Sequence, residues 1–239
     1  MLGVSLMRAE SGARRCSSSG PSLESGLFGD ETFPRASLEE ALRAAGCQAV
    51  AGVDEAGRGP LAGPVVAAAV ILAFPCRVEG IRDSKLLSPG QRERLFAAIH
   101  AGAVAVSIGA ADVETIDRIN ILQASRLAMR QAVAGLGTPP DYLLVDAVTV
   151  PGVSCPQRAI VHGDRLCLSI AAASVIAKVT RDRVLVDLDR RYPEYGFAAH
   201  KGYATRDHLA RLERYGACPE HRRSFAPVRQ VLEQVRLFG

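Results

Sequence analysis

The apolar positions of the chain begin without order and then settle into alternating periods. Over residues 1–36 the few apolar side chains have no period among Ser, Gly, Arg and Glu, which predicts a disordered N-terminal tail. Residues 37–48 read as a short leading helix over Leu38 to Ala45, capped by Ser37 with Glu40 three residues on and closed by Gly46. Apolar runs then predict strands at Ala49–Val53, Val65–Ala73, Ala103–Gly109, Tyr142–Val145 and Ala159–Val161. Helical spacing predicts a short helix over Gln91–Ala101 and one long helix from Val113 to Leu136. In the long helix Ile121, Ala124, Ala128, Ala132 and Leu136 recur at three- and four-residue steps, and Gly137, Pro139 and Pro140 stop it. An Ala-rich helix over Ser169–Tyr192 and helices at Arg206–Tyr215 and Val228–Leu237 follow. The order predicts an α/β fold: a mixed central sheet flanked by helices over residues 49–225, a helical C-terminal part, and a last helix or tail at 226–239.

Composition narrows the field. The 239 residues can bury a substantial core, and 48% hydrophobic with 23% charged residues is ordinary for a soluble protein. The longest apolar run, Leu61 to Phe74, is interrupted by Pro64 and too short to span a membrane. No signal-peptide pattern opens the chain, so the expected compartment is the cytoplasm. The six cysteines show no zinc-ligand spacing and no secreted disulfide framework. With no Trp and 5% aromatics, a large aromatic-lined sugar or lipid site is not expected. Net charge is +4 but uneven: residues 178–239 hold 13 basic and 8 acidic side chains, so a nucleic-acid face would draw on this quarter. Only Lys85, Lys178 and Lys201 among the 29 cations are lysines.

The candidate chemistry is acidic. Two apolar runs end in Val53-Asp54-Glu55 and Val145-Asp146, and a third, Ala159-Ile160-Val161, is followed by Asp164. A carboxylate at the end of a buried strand is costly unless a cation pairs with it. If these strands are neighbours, four carboxylates meet at one rim, where repulsion keeps one protonated unless a metal neutralises them. Oxygen donors without His or Cys suit Mg2+ or Mn2+. Two such ions about 4 Å apart clamp the attacking and leaving oxygens of a phosphodiester. A single strand-end Asp is equally a helix cap. Asp83, Asp182 and Asp187 compete for the fourth place, although Asp182, in Thr-Arg-Asp-Arg, has the setting of a solvated helix face.

Glu55 is followed by Ala56-Gly57-Arg58-Gly59-Pro60-Leu61-Ala62-Gly63-Pro64, a stiff loop of bare backbone. Its N–H groups can approach a phosphate or a sugar hydroxyl, and Arg58 adds a forked cation. An ordinary tight turn is the alternative. Here the residues resemble a known family. Asp54-Glu55-Ala56-Gly57-Arg58-Gly59 is similar to the signature of ribonuclease HII, the bacterial type 2 ribonuclease H. Asp83-Ser84-Lys85, Val145-Asp146-Ala147, Gly163-Asp164, Ser169 to Val179, Asp182, His200-Lys201-Gly202-Tyr203 and His221-Arg222-Arg223-Ser224-Phe225 match in order. The resemblance runs from Ala49 to Phe225 and takes in all three lysines.

The resemblance implies the ribonuclease H-like fold and Mg2+- or Mn2+-dependent cleavage of RNA in RNA–DNA hybrids and of ribonucleotides embedded in duplex DNA. It implies that Asp54, Glu55, Asp146 and Asp164 are the catalytic, metal-holding acids, and that cleavage falls 5′ to the ribonucleotide. It further implies that Gly57, Arg58 and Gly59 read the ribonucleotide and that Tyr203 packs on the nucleotide at the RNA–DNA junction. Lys85 is a substrate-binding candidate, and Lys178, Lys201, Arg222 and Arg223 are further candidates for phosphate contacts, with a solvated basic face as the alternative. The residues Gln234-Val235-Arg236-Leu237-Phe238 look like a short motif for docking on a bacterial sliding clamp, or like an amphipathic helix end packing on the body. A 3′ exonuclease of the same fold and a non-catalytic nucleic-acid-binding module are the rival readings.

Overall fold

The computed structural model describes residue 34 and residues 36–238, with side chains described as far as residue 234. The tail expected over 1–36 thus lies, apart from residues 34 and 36, outside the described residues. So do the docking-motif side chains after Gln234.

Among the described residues the elements run α1 (Ser37–Ala44), β1 (Val50–Ala56), β2 (Val65–Leu72), α2 (Pro89–Gly102), β3 (Ala103–Ala111), α3 (Val113–Ile119) and α4 (Ile121–Ala134). There follow β4 (Tyr142–Asp146), β5 (Gln157–Ile160), α5 (Gly163–Leu166), α6 (Leu168–Arg191), α7 (Phe197–His200), α8 (Arg206–Tyr215) and α9 (Ala226–Phe238). The strands form one sheet in the order β3-β2-β1-β4-β5. β1, β2 and β3 pair antiparallel, as an apolar meander does, whereas β4 and β5 join parallel to β1. This is the mixed central sheet, flanked by helices, expected from the sequence.

Alternate residues of each strand face opposite layers. Ala51, Val53, Ala67, Ala69 and Val145 pack against Ile116, Ala124, Ala128 and Ala132 of α3 and α4. Ala68, Val70 and Leu72 pack against α6 and against Leu95 and Ile99 of α2. α6 is buried on all sides from Ser169 to Ala177, which accounts for its run of Ala. Small side chains let it approach β1 so closely that a Cβ on Gly52 would fall 2.1 Å from the Ser169 backbone.

Two local expectations change. The long helix is two helices, broken at Asn120 (φ 66°), whose side chain accepts from the Leu122 and Gln123 N–H groups to start α4. Ser37 does not cap α1, whose N-cap is Ala36. Instead Glu39 of α1 reaches the first turn of α6, accepting from the Ser169 N–H at 2.8 Å and hydroxyl at 2.7 Å.

Candidate active site

The parallel half of the sheet gathers the acids. Val53 of β1 lies opposite Val145 of β4, so Asp54 and Asp146 follow at the same rim. β5 pairs with β4 as far as Asp146 opposite Ile160. The chain then turns through His162, φ 55°, into α5, which carries Asp164. The Gly163 N–H donates to Asp146 Oδ1 at 2.8 Å, tying the third acid to the turn that holds the fourth.

These carboxylates are crowded and poorly hydrated. Asp54 is 6% exposed and Asp164 3%. Burial, and then the charges of Glu55, Asp146 and Asp164, push the Asp54 carboxyl well above the ordinary range. Burial raises Glu55 against the pull of Arg58, and raises Asp146 against its hydrogen bond from Gly163. Two cations stand among them. Lys85 Nζ lies 3.0 Å from Asp164 Oδ2 and 4.0 Å from Asp83 Oδ1, and Arg58 Nη1 lies 3.2 Å from Glu55 Oε1. Among the described residues Asp54 and Asp146 have no ion pair, and the buried Glu55 Oε2 has no hydrogen-bond partner.

The donor set fits a hard divalent cation: every donor is a carboxylate oxygen, one is orphaned, and the proton affinities of Asp54, Glu55 and Asp146 are raised as they are when positive charge is wanting. Among the described residues no three acidic, His or Cys side chains form a finished metal cage. A cation would therefore draw these side chains toward itself.

Beside the acids is a cleft of about 200 Å3, bounded by Asp54, Glu55, the Gly57-Arg58-Gly59 loop, Lys85, Lys178 and Tyr203. Asp164 joins it through Lys85. Gly57 adopts φ +100°, and a Cβ there would lie 2.1 Å from Arg181 Nε, so only glycine fits. The Tyr203 ring is 46% exposed and stands over Gly59. Seven of the nine residues expected from the sequence line this cleft, and Asp146 and Asp164 adjoin it, Asp146 through the strand rim it shares with Asp54 and Asp164 through Lys85. Of the competing acids, Asp83 borders the cluster, within 3.5 Å of Arg165. Asp182 is held by Lys178 at 2.8 Å, and Asp187 by Arg190 at 2.9 Å, away from the acids.

The chain matches the family model "Ribonuclease HII" over residues 51–228. A ribonuclease HII of Geobacillus kaustophilus is 58% identical over 195 residues, 82% of this chain and 75% of the relative. One from Acidovorax sp. strain JS42 is 59% identical over 184 residues, 77% of this chain and 88% of the relative. The chain belongs to the ribonuclease HII family. Among solved structures, ribonuclease H2 from Pyrococcus horikoshii superposes with a TM-score of 0.67 at 30% identity, covering 79% of this chain and 99% of that one. The ribonuclease HII of the PCNA:RNase HII complex from Archaeoglobus fulgidus gives 0.62 at 27% identity, covering 73% and 93%. Membership makes the chain a nuclease, a hydrolase of the ribonuclease H class acting on RNA paired with DNA. Among the described residues no helix is long and apolar enough to cross a membrane.

One expectation is corrected. Arg222 is not placed for phosphate contact: it is fully buried, and its guanidinium donates to the carbonyls of Gly57, Arg58 and Gly63. Lys201, only partly buried, bonds through its Nζ to the Ala198 carbonyl three residues back. Sequence reasoning also missed Arg181, buried and bonded to the carbonyls of Ala62, Pro64 and Lys201. Its signal was present: Ala177, Arg181, Leu185 and Leu188 continue the buried stripe of α6 at helical spacing.

Proposed function

We propose that this member of the ribonuclease HII family is an endonuclease that cuts 5′ to a ribonucleotide, in RNA–DNA hybrids and at single ribonucleotides in duplex DNA, leaving a 3′-hydroxyl and a 5′-phosphate. The observation that carries the reading is the convergence of Asp54, Glu55, Asp146 and Asp164 beside a glycine-arginine loop that opens on the same cleft. In this reading the four carboxylates hold two Mg2+ or Mn2+ ions. Such ions, when bound, would supply Lewis-acid activation of a water and stabilisation of a leaving 3′-oxygen. Arg58 and Lys85 act as counter-charges: each holds one carboxylate of the cluster and presents a cation to the scissile strand. The loop N–H groups take the 2′-hydroxyl, the group that separates RNA from DNA at that position. Losing that contact leaves buried polar groups unpaired, which makes it selective. The exposed Tyr203 ring stacks on the nucleotide at the junction.

The cut opens the way to ribonucleotide excision during repair or replication, in the cytoplasm. By extension from the Archaeoglobus fulgidus complex with PCNA, the segment Gln234–Phe238 docks on a sliding clamp. Pull-down of a clamp with and without the last six residues tests this; equal capture would refute it.

A covalently closed circular duplex bearing one ribonucleotide tests the main reading. Nicking at that site is expected with Mg2+ or Mn2+ and not with chelator. An intact circle alongside degradation of linear ends would identify an exonuclease, and binding without cleavage a non-catalytic module.

A further inference from the structure

We propose that His221 and Arg222 are paired positioning residues: Arg222 sets the Gly57-Arg58-Gly59 loop, His221 sets Tyr203 through His208, and the segment carrying both fixes the spacing of the ribonucleotide reader. The inference rests on the reading of that loop and Tyr203 given above, and names what holds them.

Arg222 is the first half. Its Nη2 donates to the Gly57 carbonyl at 2.6 Å and the Gly63 carbonyl at 2.8 Å, its Nη1 to the Arg58 carbonyl at 3.1 Å, and its Nε to the Gly63 carbonyl at 3.0 Å. Among the described residues it has no carboxylate partner, so its bonds are spent on backbone alone. The C=O and N–H of a trans peptide point in opposite directions. Drawing the Gly57 and Arg58 carbonyls onto Arg222 therefore turns the Arg58 and Gly59 N–H groups away from it, toward the cleft side of the loop. Arg181 supports the arrangement from α6, joining Ala62 and Pro64 of the loop to the Lys201 carbonyl.

His221 is the second half. Its Nδ1 faces the Cys218 N–H at 3.1 Å and so accepts; its Nε2 lies 3.1 Å from His208 Nε2. His208 Nδ1 lies 2.9 Å from the Tyr203 carbonyl, which only accepts. One assignment satisfies every atom: His221 Nε2–H donates to His208, and His208 Nδ1–H donates to Tyr203. Both rings are neutral in it. Their burial supports this, pushing His221 down to about 4 and His208 below its ordinary value.

The backbone laces the same parts together. The Arg222 N–H donates to Leu61 O at 2.8 Å, Leu61 N–H to Gly202 O at 2.8 Å, and Gly63 N–H to Glu220 O at 2.9 Å. Asp117 pins the far end by accepting from the Arg223 and Ser224 N–H groups at 2.9 Å each.

The test uses the full chain with His221→Gln, Arg222→Lys, Tyr203→Ala and the doubles of the first two with Tyr203→Ala. kcat and KM are measured on a duplex with one ribonucleotide and on a long RNA–DNA hybrid, with folding checked by circular dichroism. His221→Gln and Arg222→Lys should each lower the preference for the single-ribonucleotide substrate about fivefold to tenfold, the scale of one lost hydrogen bond at the reader. His221→Gln should add nothing in the Tyr203→Ala background, whereas Arg222→Lys, which keeps the charge but not the fork, should add its full loss. Folded variants with unchanged preference, equal loss on both substrates, or unfolding of both variants would overturn the proposal. A wild-type chain that cuts neither substrate would instead overturn the functional reading beneath it.

Discussion

Asp54 shows at the scale of one side chain why the site calls for positive charge. It is buried among three other acids, without an ion pair among the described residues, and its proton affinity is raised well above the ordinary range. A carboxyl whose folded-state pKa exceeds its unfolded value binds more protons in the folded state. Its contribution to stability is present at low pH and is lost as pH rises through the folded-state value. In chelator, the wild-type chain should therefore lose stability relative to Asp54→Asn as pH rises from the ordinary carboxylate range upward, with Mg2+ restoring it to the wild type alone. Thermal melts across that range check this; parallel curves would contradict it. Asp146→Asn should abolish turnover while duplex binding stays within about twofold, because it removes a donor oxygen and no phosphate contact. Gel-shift and cleavage assays on the same preparation decide; near-normal turnover would remove Asp146 from the chemistry.

At the scale of elements, the break between α3 and α4 bears the clearest prediction. Asn120 combines φ 66° with a side chain that caps α4 at 3.0 and 3.1 Å. Asn120→Ala should cost about 2 kcal/mol in denaturant unfolding, and Asn120→Gly only a few tenths, because glycine accepts that φ. Equal losses would show that the cap and not the backbone conformation dominates. This break was hidden in the sequence because Ile116 and Ala124 pack on the same core, so the helical spacing runs straight across it. The strands were legible for the opposite reason: runs such as Val65–Leu72 are buried on both faces and read as apolar throughout. Asp54 and Asp146 were legible because each ends such a run. Arg222 was not, since its partners are backbone carbonyls, which leave no trace in side-chain pattern. The contact between Glu39 and Ser169, 130 residues apart, was beyond reach for the same kind of reason.

For the whole molecule, charge and topology act together. The C-terminal quarter is basic, yet several of its cations are already engaged: Lys178 with Asp182, Lys201 with Ala198, and Arg222 inside the fold. Binding of a ribonucleotide-containing duplex should weaken as salt rises. The slope of log K against log salt should fall well short of five phosphate contacts at about −0.9 each. Filter binding at several salt concentrations measures it, and a slope at or beyond that value would return Lys178, Lys201 and Arg222 to the phosphate face. The parallel pairing of β1, β4 and β5 turns sequence-distant acids into one cluster. The central claim is that this cluster, with divalent cations, cuts at a ribonucleotide. The most direct measurement is incubation of a duplex holding one ribonucleotide with Mg2+, Mn2+ or chelator, followed by mapping of the product ends. A cut 5′ to the ribonucleotide with a 3′-hydroxyl and a 5′-phosphate, absent in chelator, is predicted; a cut on the other side, a 2′,3′-cyclic end, or cleavage undiminished by chelator would contradict it.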